Sequence, residues 1–287
     1  KGEIFALVGE SGCGKSTVAH TIMRLSIDHN EILSGKIMFE DRDLLSISEA
    51  EMEKVRGKQI GMIFQNPLDS LNPVYRSGTQ VAEALMIDGM SRKDAMARTI
   101  ELYREVHIPF PEQRVRAYPH ELSGGMRQRV MIAMMLARNP KLLIADEPTT
   151  ALDVTVEAQV LRIMKESCSK HDASVLLITH NFGVVAEIAD RIGIMYAGEI
   201  VEEGDVFEVF HNPVHPYSQA LLSSLPRCRK TEEKLKTIEG TVPRITEKKP
   251  ECRFRNRCPY ASSICAEAVP EKKRISQTHT VRCHNRG

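Results

Sequence analysis

The chain has 287 residues, 42% of them hydrophobic and only 5% aromatic, with no tryptophan, so it can bury one sizeable aliphatic core plus a smaller appendage. Its net charge of +1 hides an asymmetry: from Arg227 onward stand 16 Lys and Arg against 7 Asp and Glu, together with five of the seven cysteines, which places a compositional boundary near Pro226. No apolar stretch approaches the ~20 residues of a membrane-spanning helix, and no secretory leader opens the chain, so a soluble, cytosolic protein is expected.

Ile4 to Val8 is a short, continuous apolar run, as in a strand buried on both faces. Gly9-Glu10-Ser11-Gly12-Cys13-Gly14-Lys15-Ser16-Thr17 follows, and then a helical pattern with Val18, Ile22 and Leu25 on one face. Strand, loop and helix together satisfy the phosphate-loop pattern G-x-x-x-x-G-K-[ST]. Gly9, Gly12 and Gly14 let the backbone curl, so that N–H groups around Ser11 and Thr17 point inward at phosphate oxygens, aided by the helix N-terminus. Lys15 supplies a full positive charge to β- and γ-phosphates, and the Ser16 hydroxyl suits Mg²⁺. Cys13 fills a variable position as a small spacer rather than a redox switch.

Thr79 to Ile87 and Ser91 to Val106 have helical periodicity, the second opened by a Ser91-Arg92-Lys93-Asp94 capping box. Leu122-Ser123-Gly124-Gly125 reads as a turn opening a long helix, Gly125 to about Arg138, and so as a second anion-binding helix N-terminus. One nucleotide needs one such cradle; a capped helix start packed by methionines is the plainer reading of this segment taken alone. Two more buried strands follow: Lys141 to Ala145 leads into Asp146-Glu147-Pro148, and Ser174 to Thr179 ends at His180. Polar residues at the carboxyl ends of apolar strands are where open α/β sheets bind ligands. Asp146 suits an outer contact to Mg²⁺, and Glu147 can polarise a water for in-line attack on a γ-phosphate.

In order and spacing these segments resemble the ATP-binding subunits of ATP-binding-cassette (ABC) transporters. Leu122-Ser123-Gly124-Gly125 looks like the signature motif, Gln65 in Ile60–Pro67 the Q-loop, Ala151-Leu152-Asp153 the D-loop and His180 the switch histidine. The resemblance implies an α/β fold, a RecA-like P-loop ATPase core over 1–210 with an inserted helical subdomain at about 66–140. It also implies a head-to-tail dimer with a second cassette, identical or homologous, in which Ser123, Gly124 and Gly125 complete the partner's ATP site. Glu147 is then the general base, His180 contacts the γ-phosphate, and Ser16, Gln65 and Asp146 hold Mg²⁺. The family carries an adenine-stacking aromatic residue well upstream of the P-loop; only eight residues precede Gly9, so the chain is expected to start inside the domain and to bind ATP weakly.

The segment His211-Asn212-Pro213-Val214-His215-Pro216-Tyr217 is similar to the extension of the oligopeptide, dipeptide and nickel branch, as are Asn66–Pro73 and Tyr118–Glu121. The extension is expected over 211–287. Its Cys252, Cys258, Cys265 and Cys283 are spaced C-x₅-C-x₆-C-x₁₇-C. In a cytosolic chain this argues for soft-metal ligation over disulfides, with reduced thiols as the plain alternative. Spacing leaves iron–sulfur and zinc open, with His279 and His284 as further zinc ligands; the resemblance implies a [4Fe–4S] cluster. The basic tail lacks interleaved aromatics and a recognition helix, so a solvated surface is expected rather than a nucleic-acid site.

The function these features imply is ATP-driven import of di- or oligopeptides from the cytoplasmic face of the membrane. Two permease subunits and an extracytoplasmic solute-binding protein complete the system. Nickel or another small solute is the alternative cargo. A soluble, non-transport ABC ATPase is disfavoured by the lack of a second cassette or coiled-coil insertion, and a P-loop kinase by the second cradle.

Overall fold

The computed structural model describes residues 1–25, 32–65, 70–149, 152–224, 240–243, 245 and 249–285. In chain order the strands are β1 (Ile4–Val8), β2 (Met38–Phe39), β3 (Arg42–Asp43), β4 (Ile60–Ile63), β5 (Leu142–Asp146), β6 (Ser174–Ile178), β7 (Arg191–Tyr196), β8 (Glu199–Asp205), β9 (Lys272–Arg274) and β10 (Thr280–Arg282). The helices are α1 (Lys15–Ile22), α2 (Glu49–Val55), α3 (Ser77–Met86), α4 (Arg92–Glu105), α5 (Pro111–Arg114), α6 (Gly124–Leu136), α7 (Val154–Lys170), α8 (Phe182–Ile188), α9 (Val206–His211), α10 (Pro216–Ser223) and α11 (Ile264–Glu267). The chain divides into two compact units, one of Lys1–Ile4 with Ser16–Ile178, the other of Phe5–Lys15 with Thr179–Gly287.

In the first unit β4, β5 and β6 run parallel, with Ile60 opposite Leu142 and Leu142 opposite Ser174. Ile60, Ile63, Leu143, Ile144 and Leu177 are buried, which is why these strands read as unbroken apolar runs rather than alternating ones. Helix α4 begins one residue inside its Ser91 cap, whose hydroxyl accepts the Asp94 N–H at 3.2 Å. The expected reciprocal half of that box does not form: the Asp94 carboxylate instead accepts the Ser91 hydroxyl at 2.6 Å. A complete box opens α2, where Ser48 and Glu51 satisfy each other's backbone N–H groups.

In the second unit β1 pairs parallel with β7, and β8 and β10 continue antiparallel to β9. Between β7 and β8 the chain turns through Ala197 and Gly198 at φ 46° and 85°, the two-residue geometry whose twist suits a hairpin. The core gathers Ala6, Val8, Ile192, Ile194, Tyr196, Tyr217 and Phe254, so strand residues and tail residues share one apolar cluster. Glu202 of β8 ties the tail in place. Its carboxylate accepts the Val214 and His215 N–H groups at 2.7 and 2.9 Å and lies 2.7 Å from His279 Nε2. The segments at Asn66–Asp69 and the expected boundary near Pro226 lie outside the described residues.

Candidate functional site

The loop after β1 is built around close approaches. A Cβ at Gly9 would sit 2.2 Å from the Met195 carbonyl oxygen and 2.8 Å from Cys13 Sγ, so only glycine fits. Gly12 and Gly14 take φ of 79° and 104°, the left-handed region that other residues avoid. The Lys15 ammonium is buried within the curl, donating to the Gly9 and Glu10 carbonyls at 2.9 and 3.1 Å. Ser11, Gly12 and Thr17 are exposed. Cys13 is buried and burial pushes its thiol up, so it stays protonated and unreactive at neutral pH, as a spacer should.

In the first unit the structure brings four of the predicted residues together in two pairs. The Ser16 hydroxyl donates to Asp146 Oδ1 at 3.1 Å, with Asp146 buried at the end of β5. Gln65, just beyond β4, donates its amide to Glu147 Oε2 at 3.3 Å. Glu147 holds φ of +44°, a conformation costing a non-glycine residue ~1 kcal/mol or more. Its N–H donates to the Ile178 carbonyl at 2.9 Å, which stabilises the turn against that strain. Ser16, Asp146 and Gln65 are hard oxygen donors of the kind Mg²⁺ prefers.

Ser123 caps α6, accepting the Met126 N–H at 3.3 Å, and stays exposed at the helix start. The two glycines after it also have a packing role that spacing did not reveal. A Cβ at Gly124 would lie 3.1 Å from Leu152 Cδ2, and one at Gly125 2.8 Å from Val156 Cγ1. Asp153 caps α7 through the Val156 N–H at 3.0 Å, so the expected D-loop and signature meet at the starts of two helices. Ala151 lies outside the described residues. In the second unit His180 is exposed, directly beyond β6 and ahead of the Asn181 cap of α8.

The tail does not form the metal centre that its cysteine spacing suggests. Among the described residues no group of three or more His, Cys, Asp or Glu side chains is arranged to hold a metal ion, and Cys252, Cys258, Cys265 and Cys283 form no disulfide. Cys252 and Cys258 pack against the apolar core around Phe254, while Cys265 and Cys283 are themselves buried. Burial, with smaller contributions from the neighbouring cysteines, raises the Cys252 thiol to about 11. His279 Nε2 is engaged by Glu202, and His284 Nε2 by the Ala268 carbonyl at 2.9 Å. The expected [4Fe–4S] cluster and its zinc alternative are therefore withdrawn, and the four side chains act as small packing groups.

Three residues to which the sequence assigned no role of their own meet at the loop. Glu10 meets Tyr217 and Arg257, 207 and 247 positions away, and no local pattern signals so distant a pairing.

Comparison with known proteins gives a consistent result. Residues 1–150 match the ABC transporter family, and residues 201–265 the oligopeptide/dipeptide transporter C-terminal region. The oligopeptide transport ATP-binding protein OppD of Bacillus subtilis is 51% identical over 285 residues, 98% of this chain and 80% of its own length. The dipeptide transport ATP-binding protein DppD of the same organism is 46% identical, over 99% and 85%. Among solved structures, a dimeric ATP-binding cassette in a post-hydrolysis state with ADP and Pi superposes with a TM-score of 0.62. It is 28% identical and covers 71% of this chain and 86% of its own.

Proposed function

The chain belongs to the ABC transporter family, and on that footing we propose that it is the ATP-hydrolysing subunit of an importer that takes up di- or oligopeptides. The observation that carries the mechanism is the paired placement of Ser16 with Asp146 and Gln65 with Glu147, hydrogen-bonded at 3.1 and 3.3 Å. Gly9–Thr17 cradles the ATP polyphosphate through backbone N–H groups, and Lys15 offsets its charge. Ser16, Asp146 and Gln65 would hold Mg²⁺, which would supply further neutralisation of the phosphate charge. Glu147 takes a proton from the attacking water as the γ-phosphate bond to ADP breaks, and His180 steadies the γ-phosphate oxygens.

Ser123, Gly124 and Gly125 complete the site of a second cassette, identical or homologous, in a head-to-tail pair. The dimeric form of the solved ADP-bound cassette supports that arrangement. On this reading residues 1–210 make up the cassette, with the helical subdomain at about 66–140, and 211–287 the extension. Two permease subunits and a solute-binding protein complete the importer, with this subunit on the cytoplasmic face. Among the described residues no helix is long and apolar enough to cross a membrane.

Replacing Glu147 with Gln keeps the shape and removes the base. The variant should bind ATP, accumulate as ATP-bound dimers and lose hydrolysis by at least ~100-fold. Near-normal turnover would remove Glu147 from the role of base.

A further inference from the structure

The tail reaches the phosphate-binding loop at Glu10 and holds every polar group of that residue that Lys15 does not. The Glu10 N–H donates to the Tyr217 hydroxyl at 3.0 Å, and its carbonyl accepts from Lys15 Nζ at 3.1 Å. Arg257 forks onto the carboxylate, Nη1 to Oε2 at 2.9 Å and Nη2 to Oε1 at 3.1 Å. Two parallel charge-assisted bonds fix direction as well as distance. The Arg257 side chain is 7% exposed and that of Glu10 26%, so water screens this pair far less than a surface one.

The guanidinium is itself held. It lies over the Tyr196 ring, 5.7 Å from the centroid, with Nη1 3.5 Å from the Tyr196 hydroxyl. Tyr196 packs edge-on against Tyr217 and Phe254 at 4.8 and 5.1 Å, which makes a rigid aromatic floor under the fork. A second strut joins the same parts. Gly198 donates its N–H to the Cys13 carbonyl at 2.8 Å, while Arg253 of the tail bonds the neighbouring Ala197 carbonyl and pairs with Glu199 at 3.2 Å.

We infer that Arg257, with Tyr217, is a positioning residue for the phosphate-binding loop, so that the C-terminal tail sets nucleotide affinity through Glu10. Two physical effects combine. The loop binds phosphate with backbone N–H groups, whose aim depends on where the Glu10 peptide sits. Glu10 also carries a negative charge beside the place where a polyphosphate docks, and Arg257 neutralises it; with that cation gone, the carboxylate repels the ligand. The inference rests on the reading of Gly9–Thr17 as the ATP site.

The test is titration of the full-length protein with a fluorescent ATP analogue and Mg²⁺, alongside ATPase kinetics. Arg257→Ala should raise Kd roughly tenfold, with KM following and kcat changing much less. Arg257→Lys, which keeps the charge but loses the fork, should fall between parent and Ala variant. Tyr217→Phe should raise Kd about threefold, by loss of a single neutral hydrogen bond. Adding Glu10→Gln to Arg257→Ala should recover most of the lost affinity, which a general loss of fold would not allow. Arg255→Ala, a neighbouring tail arginine paired with Glu251 at 2.9 Å, should leave Kd unchanged. If Arg257→Ala does not fold, the Lys and Phe variants carry the test. Parent-like Kd in Arg257→Ala, or in both conservative variants, overturns the inference while the ATP site stands; so does failure of Glu10→Gln to rescue. A parent protein that binds no nucleotide overturns the ATP reading first, and this one with it.

Discussion

His215 makes the second unit sensitive to acid, by an amount the structure allows to be worked out. Its ring is 2% exposed, 5.6 Å from the Phe254 ring, and its Nδ1 accepts the Tyr217 N–H at 3.1 Å to cap α10. A proton on Nδ1 would remove that acceptor and place a charge in an apolar setting. Burial accordingly lowers the imidazole from 6.5 to about 4. The folded value lies below the unfolded one, so the unfolded chain takes up the proton first. This group's contribution to stability is therefore intact above about pH 6.5, declines as pH falls, and levels off below about pH 4. Between pH 7 and about 4.5 the linkage comes to about 2–3 kcal/mol. Urea unfolding of the parent and of His215→Asn at the two pH values isolates this term, because Asn keeps a cap acceptor but does not titrate. Removing the imidazole costs packing equally at both pH values; carboxylates elsewhere contribute equally to both proteins. The parent should therefore lose about 2–3 kcal/mol more than the variant on acidification. Identical losses would refute the claim that a buried neutral His215 caps α10.

Two further outcomes follow from local geometry. Gly125→Ala places a methyl 2.8 Å from Val156 Cγ1 and should destabilise the first unit by about 1–3 kcal/mol, a loss that Val156→Ala on the same chain partly relieves, as paired thermal melts would read. Ser48→Ala removes the hydroxyl that accepts the Glu51 N–H at 3.3 Å and should cost about 1 kcal/mol in a denaturant titration, with nucleotide affinity unchanged.

What could be read from the sequence alone was whatever depends on neighbours along the chain. The Gly9–Thr17 loop combines glycines that must curl with a strand before and a helix after, all within some 20 residues, so its conformation is written locally. The buried strands β1, β5 and β6 and the cap at Ser123 follow for the same reason, since burial on both faces leaves an unbroken apolar run and a helix start needs an acceptor. Strand β8, rich in acidic residues, and the exposed β9 gave no comparable signal. The register shift between Ile194 and Met195 interrupts one pairing, and Lys272–Arg274 is wholly exposed, so no apolar period marks it.

Only the tertiary structure decided how distant residues meet. Cysteine spacing in the tail is compatible with a metal site, yet ligation depends on how the side chains are arranged in three dimensions, which spacing does not encode. Gly125 was legible as a phosphate cradle but not as the place where α6 comes within 2.8 Å of a side chain on α7. Arg257 stood in the sequence as one basic residue among many. Folding brings it across 247 positions to the carboxylate of Glu10, because the aromatic floor of Tyr196, Tyr217 and Phe254 gathers tail and loop into one core.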